Sequence, residues 1–390
     1  MKLVLRKWVL DPLEAFIHDS RAVGILLLVC TGISLLIANI NSVSHYYSIF
    51  WTAHFSGLDN HHVYIGFLSL PNSVLLIIND GLMALFFFLA GMEIKRELLQ
   101  GELASVKQSL LPVCGAIGGM LLPAILFSLI NKGTQNMSGW AIPTATDIAF
   151  SLGIASLLGK RVPIGLKIFL TALAIIDDLG AIVVIAIFYG AALNLCYLLG
   201  AFFFAFVIYF LNKRKTSFGL LQIASGILLW YCMFNSGIHA TIAGVIFAFL
   251  VPVDLLKSLE KKIHLPVYFI IIPLFALANT AIPFPENSLQ LLSGKLSWGI
   301  FVGLCIGKPL GIFSCCYCLV KRKWAELPEG VNWHKMIGAG ILAGIGFTMS
   351  IFISTLAYNK IEAQNIAKIS VLLASFVAIG IGYIWFRLEK

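Results

Sequence analysis

Two adjacent aspartates, Asp177 and Asp178, lie inside the apolar stretch IFLTALAIIDDLGAIVVIAIFYG at 168–190. No other feature limits so tightly what this chain folds into. The nearest preceding charge, Lys167, is ten positions before Asp177, and the nearest following one, Lys213, is thirty-five positions after Asp178. Ten helical residues rise ~15 Å, half of a ~30 Å hydrocarbon core, so the pair falls near the middle of a bilayer-spanning helix. A single acid at that depth costs ~2.5–3.5 kcal/mol on insertion scales. Two side by side imply a use.

The whole chain has the same character. Of its 390 residues 59% are hydrophobic and 12% charged, against ~25% charged in soluble domains. This predicts an all-α polytopic membrane protein. Apolar runs at 21–40, 73–94, 108–130, 141–158, 166–190, 194–211, 217–232, 236–252, 267–282, 298–320, 335–357 and 366–386 give twelve transmembrane helices. With both termini cytoplasmic, 22 of the 27 basic residues fall in cytoplasmic segments, four (Lys132, Lys295, Lys360, Lys368) fall outside, and Lys308 lies within a span. Such alternation supports the count and the orientation. It also explains the net charge of +9 without a nucleic-acid partner. The eight cysteines, including Cys315, Cys316 and Cys318, sit in apolar runs and read as small buried hydrophobes. Residues 1–20 read as an amphipathic segment lying at the membrane surface. The loop 41–72, rich in aromatic and β-branched residues on either side of Gly57–Asn60, predicts an external β-hairpin.

Spans four and eleven are interrupted. GWAIPTATDIAFSLGI holds Pro143, Thr144, Thr146 and Asp147 mid-run, and GAGILAGIGFTMSIF holds Gly338, Gly340, Gly344 and Gly346. Proline removes a backbone donor and glycine permits non-helical geometry. Triplets three–four–five and ten–eleven–twelve start on opposite sides of the membrane, and the interrupted helix is the middle member of each. Inverted-topology repeats, about 107–190 and 298–387, with two broken, crossing helices follow as an expectation. Half-helix ends meeting at the midplane need opposite charges nearby. Asp147 is next to one break, and Lys308 is centred in span ten.

The midplane is thus expected to hold three acids and one lysine. Adjacent helical residues point ~100° apart, so one of Asp177 and Asp178 is expected to face a water-filled funnel and the other a neighbouring helix. A buried carboxylate that takes either a proton or a small hard cation is the chemical core of an antiporter. Nearer the surfaces, Asp80 opens span two. Glu93 and Glu97 share a face beside Lys95 and Arg96. His239 titrates near neutrality when unperturbed and is a candidate for a pH response.

The blocks INDGLMALFFFLAGMEIKREL (78–98), AIPTATDIAFSLGI (141–154), LKIFLTALAIIDDLGAI (166–182), SGIHATIAGV (236–245), IGKPLGI (306–312) and AGIGFTMSIFI (343–353) closely resemble the NhaA family of bacterial sodium/proton antiporters, itself an example of inverted repeats. The resemblance runs from about 18 to 385. It implies an electrogenic exchanger of the inner membrane, expelling Na⁺ or Li⁺ for a larger number of protons in pH and sodium homeostasis, with no cofactor and no enzymatic step. It makes Asp178 the principal cation ligand, Asp177 its partner in proton exchange, and Thr146 a further ligand. Asp147 and Lys308 become the charges that balance the helix ends, with Lys308 paired to Asp177 when the cation is absent. Glu93, Arg96, Glu97, Lys257 and Glu260 fall on a cytoplasmic pH-responsive cluster, and the 41–72 hairpin on a homodimer contact. The sequence departs from the family at Lys261, where a histidine is familiar. The nearest rival is a sodium-coupled organic-anion symporter on the same fold. An intramembrane aspartyl protease needs a GxGD motif and aspartates on two facing helices, and neither occurs here. A channel or membrane scaffold leaves the buried acids without a role.

Overall fold

The computed structural model describes residues 20–57, 61–66, 68–190, 192–213, 218–284 and 292–388. The amphipathic segment read at 1–20 falls outside them but for Ser20. Fifteen helical elements and one small sheet account for most of the described chain. Helix α1 spans Ser20–Ala38 and α2 spans Ser44–Thr52. Strands β1 (His62–Ile65) and β2 (Leu68–Pro71) pair antiparallel. Then follow α3 (Val74–Gln100), α4 (Val106–Ile130), the 3₁₀ helix α5 (Gln135–Thr144), α6 (Ile148–Leu157), α7 (Ile164–Phe188), α8 (Leu195–Lys213) and α9 (Leu220–Ser236). The last six are α10 (Ile242–Leu250), α11 (Val253–Asn279), α12 (Lys295–Lys321), α13 (Trp333–Ala343), α14 (Phe347–Ala357) and α15 (Ile361–Leu388).

Seven of these are long and apolar enough to cross a membrane, or up to nine if each bent pair, α5–α6 (42°) and α13–α14 (45°), counts as one span. The protein is therefore a helical membrane protein with a small two-stranded sheet. Helices α1 and α9 are shorter apolar helices and α10 has nine residues. Length and composition alone do not reach the expected twelve spans among the described residues.

The 41–72 segment differs from its expected form. Among the described residues of the segment strand is confined to 62–65 and 68–71, and SHYYSIFWT folds as α2 instead. Its aromatic residues recur at helical spacing: Tyr47 and Trp51, at i and i+4, meet edge to face at 5.9 Å, and Trp51 is buried. Helical side-chain pairing of this kind outweighs the β preference of the same residues. The hairpin turn is also displaced. It opens on Gly66 at φ +64°, a left-handed conformation glycine adopts freely, and not at Gly57–Asn60.

Close helix contacts position the centre. On α4 and α12, Gly118 and Gly311 face each other so tightly that a Cβ on Gly118 would lie 2.2 Å from the Gly311 carbonyl oxygen. Small residues permit that backbone approach. One large core joins α1–α7 and α10–α15, whereas α8 and α9, with Ala243 of α10, form a smaller cluster around Ile208, Leu229 and Met233. Lys368, placed in an external segment by the reading of charges, lies seven residues inside α15 and is buried. The apolar run read at 366–386 starts only two residues before it, which put Lys368 at the membrane edge, whereas the helix itself starts at Ile361.

Candidate functional site

The two interrupted helices meet at their breaks. Helix α5 stops after Thr144, the chain is extended at Ala145, and Asp147 caps the start of α6 by accepting from the Phe150 N–H at 3.1 Å. An aspartate at this position satisfies one of the free donors of a helix start. Across the gap, α13 stops at Ala343 and α14 begins at Phe347. A Cβ on Gly344 would lie 2.5 Å from the Leu304 carbonyl oxygen of α12, so only glycine fits there without displacement. The breaks then complete each other. The Asp147 N–H donates to Ile345 O at 2.7 Å, the Ser151 hydroxyl to Leu342 O at 2.9 Å, and the Ser350 hydroxyl to Ile142 O at 2.7 Å. Thr146 Oγ1 lies 3.0 Å from Ala343 O. Carbonyls at the end of α13, which have no partner within their helix, are answered by hydroxyls from the other break.

The charges sit on these helix ends. Asp147 Oδ2 accepts from the Thr348 N–H at 3.0 Å and from the Thr348 hydroxyl, so one carboxylate serves the starts of both α6 and α14. That is the favourable sign at two positive helix ends. Lys308 is fully buried. Its ammonium donates to the Thr144 carbonyl at the end of α5 and pairs with Asp177 Oδ2 at 2.9 Å. A π turn, Gly303–Gly307, immediately precedes it, shifting the helix phase where α12 passes Pro143; a Cβ on Gly303 would meet that proline at 2.6 Å. Thr146 Oγ1 is 2.6 Å from Asp177 Oδ2.

Asp178 points elsewhere, as the angular offset of neighbouring helical residues requires. It lines a cavity of about 20 Å³ together with Glu93, Asp147, Tyr268 and Thr348. That volume accommodates about one water-sized body. Asp178 Oδ1 is buried with no hydrogen-bond partner among the described residues, and Asp177 Oδ1 is in the same condition. The open Asp178 oxygen lies at a small, largely apolar cavity and the open Asp177 oxygen outside its lining, and a buried carboxylate with a free oxygen can take up a proton or a small cation. The space is far below the ~300–1,000 Å³ of pockets for organic ligands, and nothing supports the organic-anion alternative.

The remaining predicted residues divide. Arg96 pairs with Glu260 of α11 and with Glu97 at 3.1 Å. Lys257, one turn before Glu260, is exposed. Glu93, read with this group, turns inward to the Asp178 cavity and links the two. His239 is not brought to either place. It lies between α9 and α10, its Nε2 2.7 Å from the Tyr189 carbonyl at the far end of α7. Sequence reasoning missed Thr348, Ser151 and Tyr268. Thr348 carried one signal: it stands two residues after Gly346, inside the second break.

The chain has relatives. The family model described as Na⁺/H⁺ antiporter 1 matches residues 14–386. The Na(+)/H(+) antiporter NhaA of Flavobacterium psychrophilum is 46% identical over 379 residues, which cover 95% of this chain and 94% of the relative. The protein of the same name from Sulfurovum sp. is 41% identical over 393 residues, covering 98% of each chain. That from Cronobacter sakazakii is 44% identical over 390 residues, covering 97% of this chain and 98% of the relative.

Proposed function

The chain belongs to the Na⁺/H⁺ antiporter 1 family, and we propose that it is an electrogenic exchanger of the bacterial inner membrane, expelling Na⁺ or Li⁺ for a larger number of protons. It is a Na⁺/H⁺ antiporter; the finer assignments that follow extend that statement. The observation that carries them is the Asp178 carboxylate, buried, open at Oδ1 and facing a one-water cavity.

In the proposed cycle Asp178 is the principal cation ligand. A carboxylate ~2.4 Å from Na⁺ contributes ~7 kcal/mol at an effective ε of ~20, which offsets dehydration only while the group is ionised. A proton on the same oxygen removes that attraction, so proton and cation exclude each other. Asp177 is the second exchanging carboxylate. In the absence of the cation Lys308 holds it; on cation entry it turns with Thr146 towards Asp178. Asp147 stays in place as the counter-charge of two helix starts. Glu93, Arg96, Glu97, Lys257 and Glu260 form the pH-responsive cluster at the cytoplasmic mouth, acting on the site through Glu93. His239 belongs to a separate external response. Alternating access is movement of the paired breaks within inverted repeats, α4–α7 and α12–α15, in a fold of twelve spans completed by α1, α9 and α10. The chain is one integral membrane domain. It works as a homodimer joined by strand addition at β1, where Tyr64 and Ile65 are exposed on an open sheet edge.

Everted vesicles test the site. Wild type releases protons from the vesicle lumen on addition of Na⁺, and Asp178→Asn abolishes the signal, because asparagine keeps the shape but neither ionises nor titrates. Lys308→Arg retains part of it, since the positive charge stays on α5 and Asp177 although a guanidinium does not readily deprotonate. Robust exchange by Asp178→Asn would overturn the assignment.

A further inference from the structure

A second cleft, about 1080 Å³, opens between the first turns of α4 and α7 and the 322–331 connection that joins α12 to α13. Its buried lining is apolar, made of Leu111, Phe169 and Ala172, with Ile168 exposed beside them. From Ile164 at the start of α7 to Ala172 is eight residues, ~12 Å along the helix. With Asp177 at the midplane and Lys167 at the edge of the hydrocarbon, Ala172 lies about 7 Å inside, so the cleft runs from the membrane surface to about half the depth of one ~15 Å leaflet core. Trp324, 61% exposed, sits at its edge with the Arg322 guanidinium 5.3 Å from its ring. An indole beside basic residues marks the headgroup level of a bilayer.

The mouth carries charges of both signs. Lys323, Glu326 and Glu329 line it and are exposed, and none forms an ion pair among the described residues. Lys323 is the one described non-glycine residue with positive φ, at 59°. That conformation closes α12: the Lys323 N–H donates to Val320 O at 2.9 Å and the Trp324 N–H to Leu319 O at 3.1 Å, the bond pair of a Schellman cap, and it places the lysine at the mouth. An occupant must therefore bring an anion for Lys323, a cationic N–H donor for the two glutamates, and an aliphatic tail for the apolar lining.

We propose that this cleft is a lipid site selective for phosphatidylethanolamine, whose phosphate meets Lys323 and whose primary ammonium donates to Glu326 and Glu329 while one acyl chain lies along α7. A phosphatidylglycerol headgroup brings no cation to the two carboxylates, and the quaternary ammonium of phosphatidylcholine has no N–H to donate. The lipid would touch both the first turns of α7, which carries Asp177 and Asp178, and the connection leaving α12, which carries Lys308. The inference rests on this loop lying at a bilayer surface, and it is independent of ion exchange.

The test is lipid retention by the full-length, delipidated protein in detergent, read by native mass spectrometry with the three lipids at equal acyl composition. Wild type is expected to retain phosphatidylethanolamine at least tenfold over the other two. Lys323→Asn, which tolerates the left-handed backbone, and the double variant Glu326→Gln/Glu329→Gln are each expected to bring retention down to the phosphatidylcholine level. A photoreactive phosphatidylethanolamine should crosslink to peptides containing Ile164–Ala172 whether or not the variants fold well. Equal retention of the three lipids, a preference for phosphatidylglycerol, a preference that persists in both variants, or crosslinks only elsewhere would each overturn the proposal. Loss of exchange by wild-type vesicles with lipid selectivity intact would sink the transport reading and leave this one standing.

Discussion

Thr348 supplies a hydroxyl and a backbone N–H to one oxygen of Asp147, and Thr348→Val separates the two. The hydroxyl bond to a charged group is worth ~1.5–3 kcal/mol. The variant should unfold earlier in detergent and exchange more slowly, and Thr348→Ser should recover both; equal loss by the serine variant would show that volume, not the hydroxyl, matters. Lys368 is a different case. Its ammonium meets Asn279 Oδ1 at 3.4 Å, and Asn279 donates on to Asn79 Oδ1 at 2.8 Å. Lys368→Met exchanges a poorly paired buried cation for an apolar chain, a change often neutral or stabilising. Asn279→Leu strands the ammonium and should cost ~1–3 kcal/mol in denaturant unfolding. At this scale Asp147, Asp177, Asp178 and Lys308 were legible because a charge in an apolar run announces itself. Thr348 and Ser151 were not, since hydroxyls are ordinary in membrane helices and their meaning depends on which distant carbonyl or carboxylate they reach.

Among the elements, three π turns stand out: Ile77–Leu82 in α3, Val267–Ile271 in α11 and Gly303–Gly307 before Lys308. Each inserts a phase shift beside a buried polar group, a common place for such turns. The second contains Tyr268, which it aims at the Asp178 cavity. No periodicity argument reveals them, because one extra residue in a wholly apolar helix leaves the hydropathy unchanged. The breaks, in contrast, were written in Pro143 and the glycines of 338–346. Helix contacts give a sharp comparison. Gly118→Ala drives a methyl against α12 at 2.2 Å, whereas nothing lies within 4 Å of a Cβ on Gly32 in α1. The first should lower the melting temperature and transport together. The second should leave transport unchanged and raise stability by up to ~1 kcal/mol from helix propensity. The hairpin makes a pH prediction. Nδ1 of His62 lies 2.9 Å from the Ser69 hydroxyl and its ring packs 4.8 Å from Phe234; burial first, then His61, pushes its pKa down. A base whose folded pKa is depressed weakens the fold as pH falls below its ordinary value, ~6.5, and carries no penalty above it. Amide exchange in 62–71, corrected for intrinsic rates, should therefore quicken from pH 8 to pH 5 and cease to do so in His62→Gln.

Over the whole molecule, the pairing of the two breaks has a meaning in time as well as in space. Asp147 and Ile345, joined at 2.7 Å, are separated by nearly two hundred residues of chain. When α5 and α6 first enter the membrane, the donors and carbonyls that α13 and α14 will later answer face nothing, and an unmet polar group in hydrocarbon is costly. The first half must wait for the second. Contacts of such long sequence separation form late, so the nascent protein passes through a stage in which its future centre is its least settled part, the reverse of the finished molecule. A chain divided in the 213–218 connection should express this directly. The 1–215 fragment alone should be cleared rapidly in pulse-chase labelling, and co-synthesis of 216–390 should rescue it, but not when the rescuing half carries Thr348→Val and Ser350→Ala. Persistence of the lone first fragment would mean that its break finds other partners. What joins the two halves in the finished protein is expected to act during synthesis as a checkpoint: neither half is complete until the other has arrived.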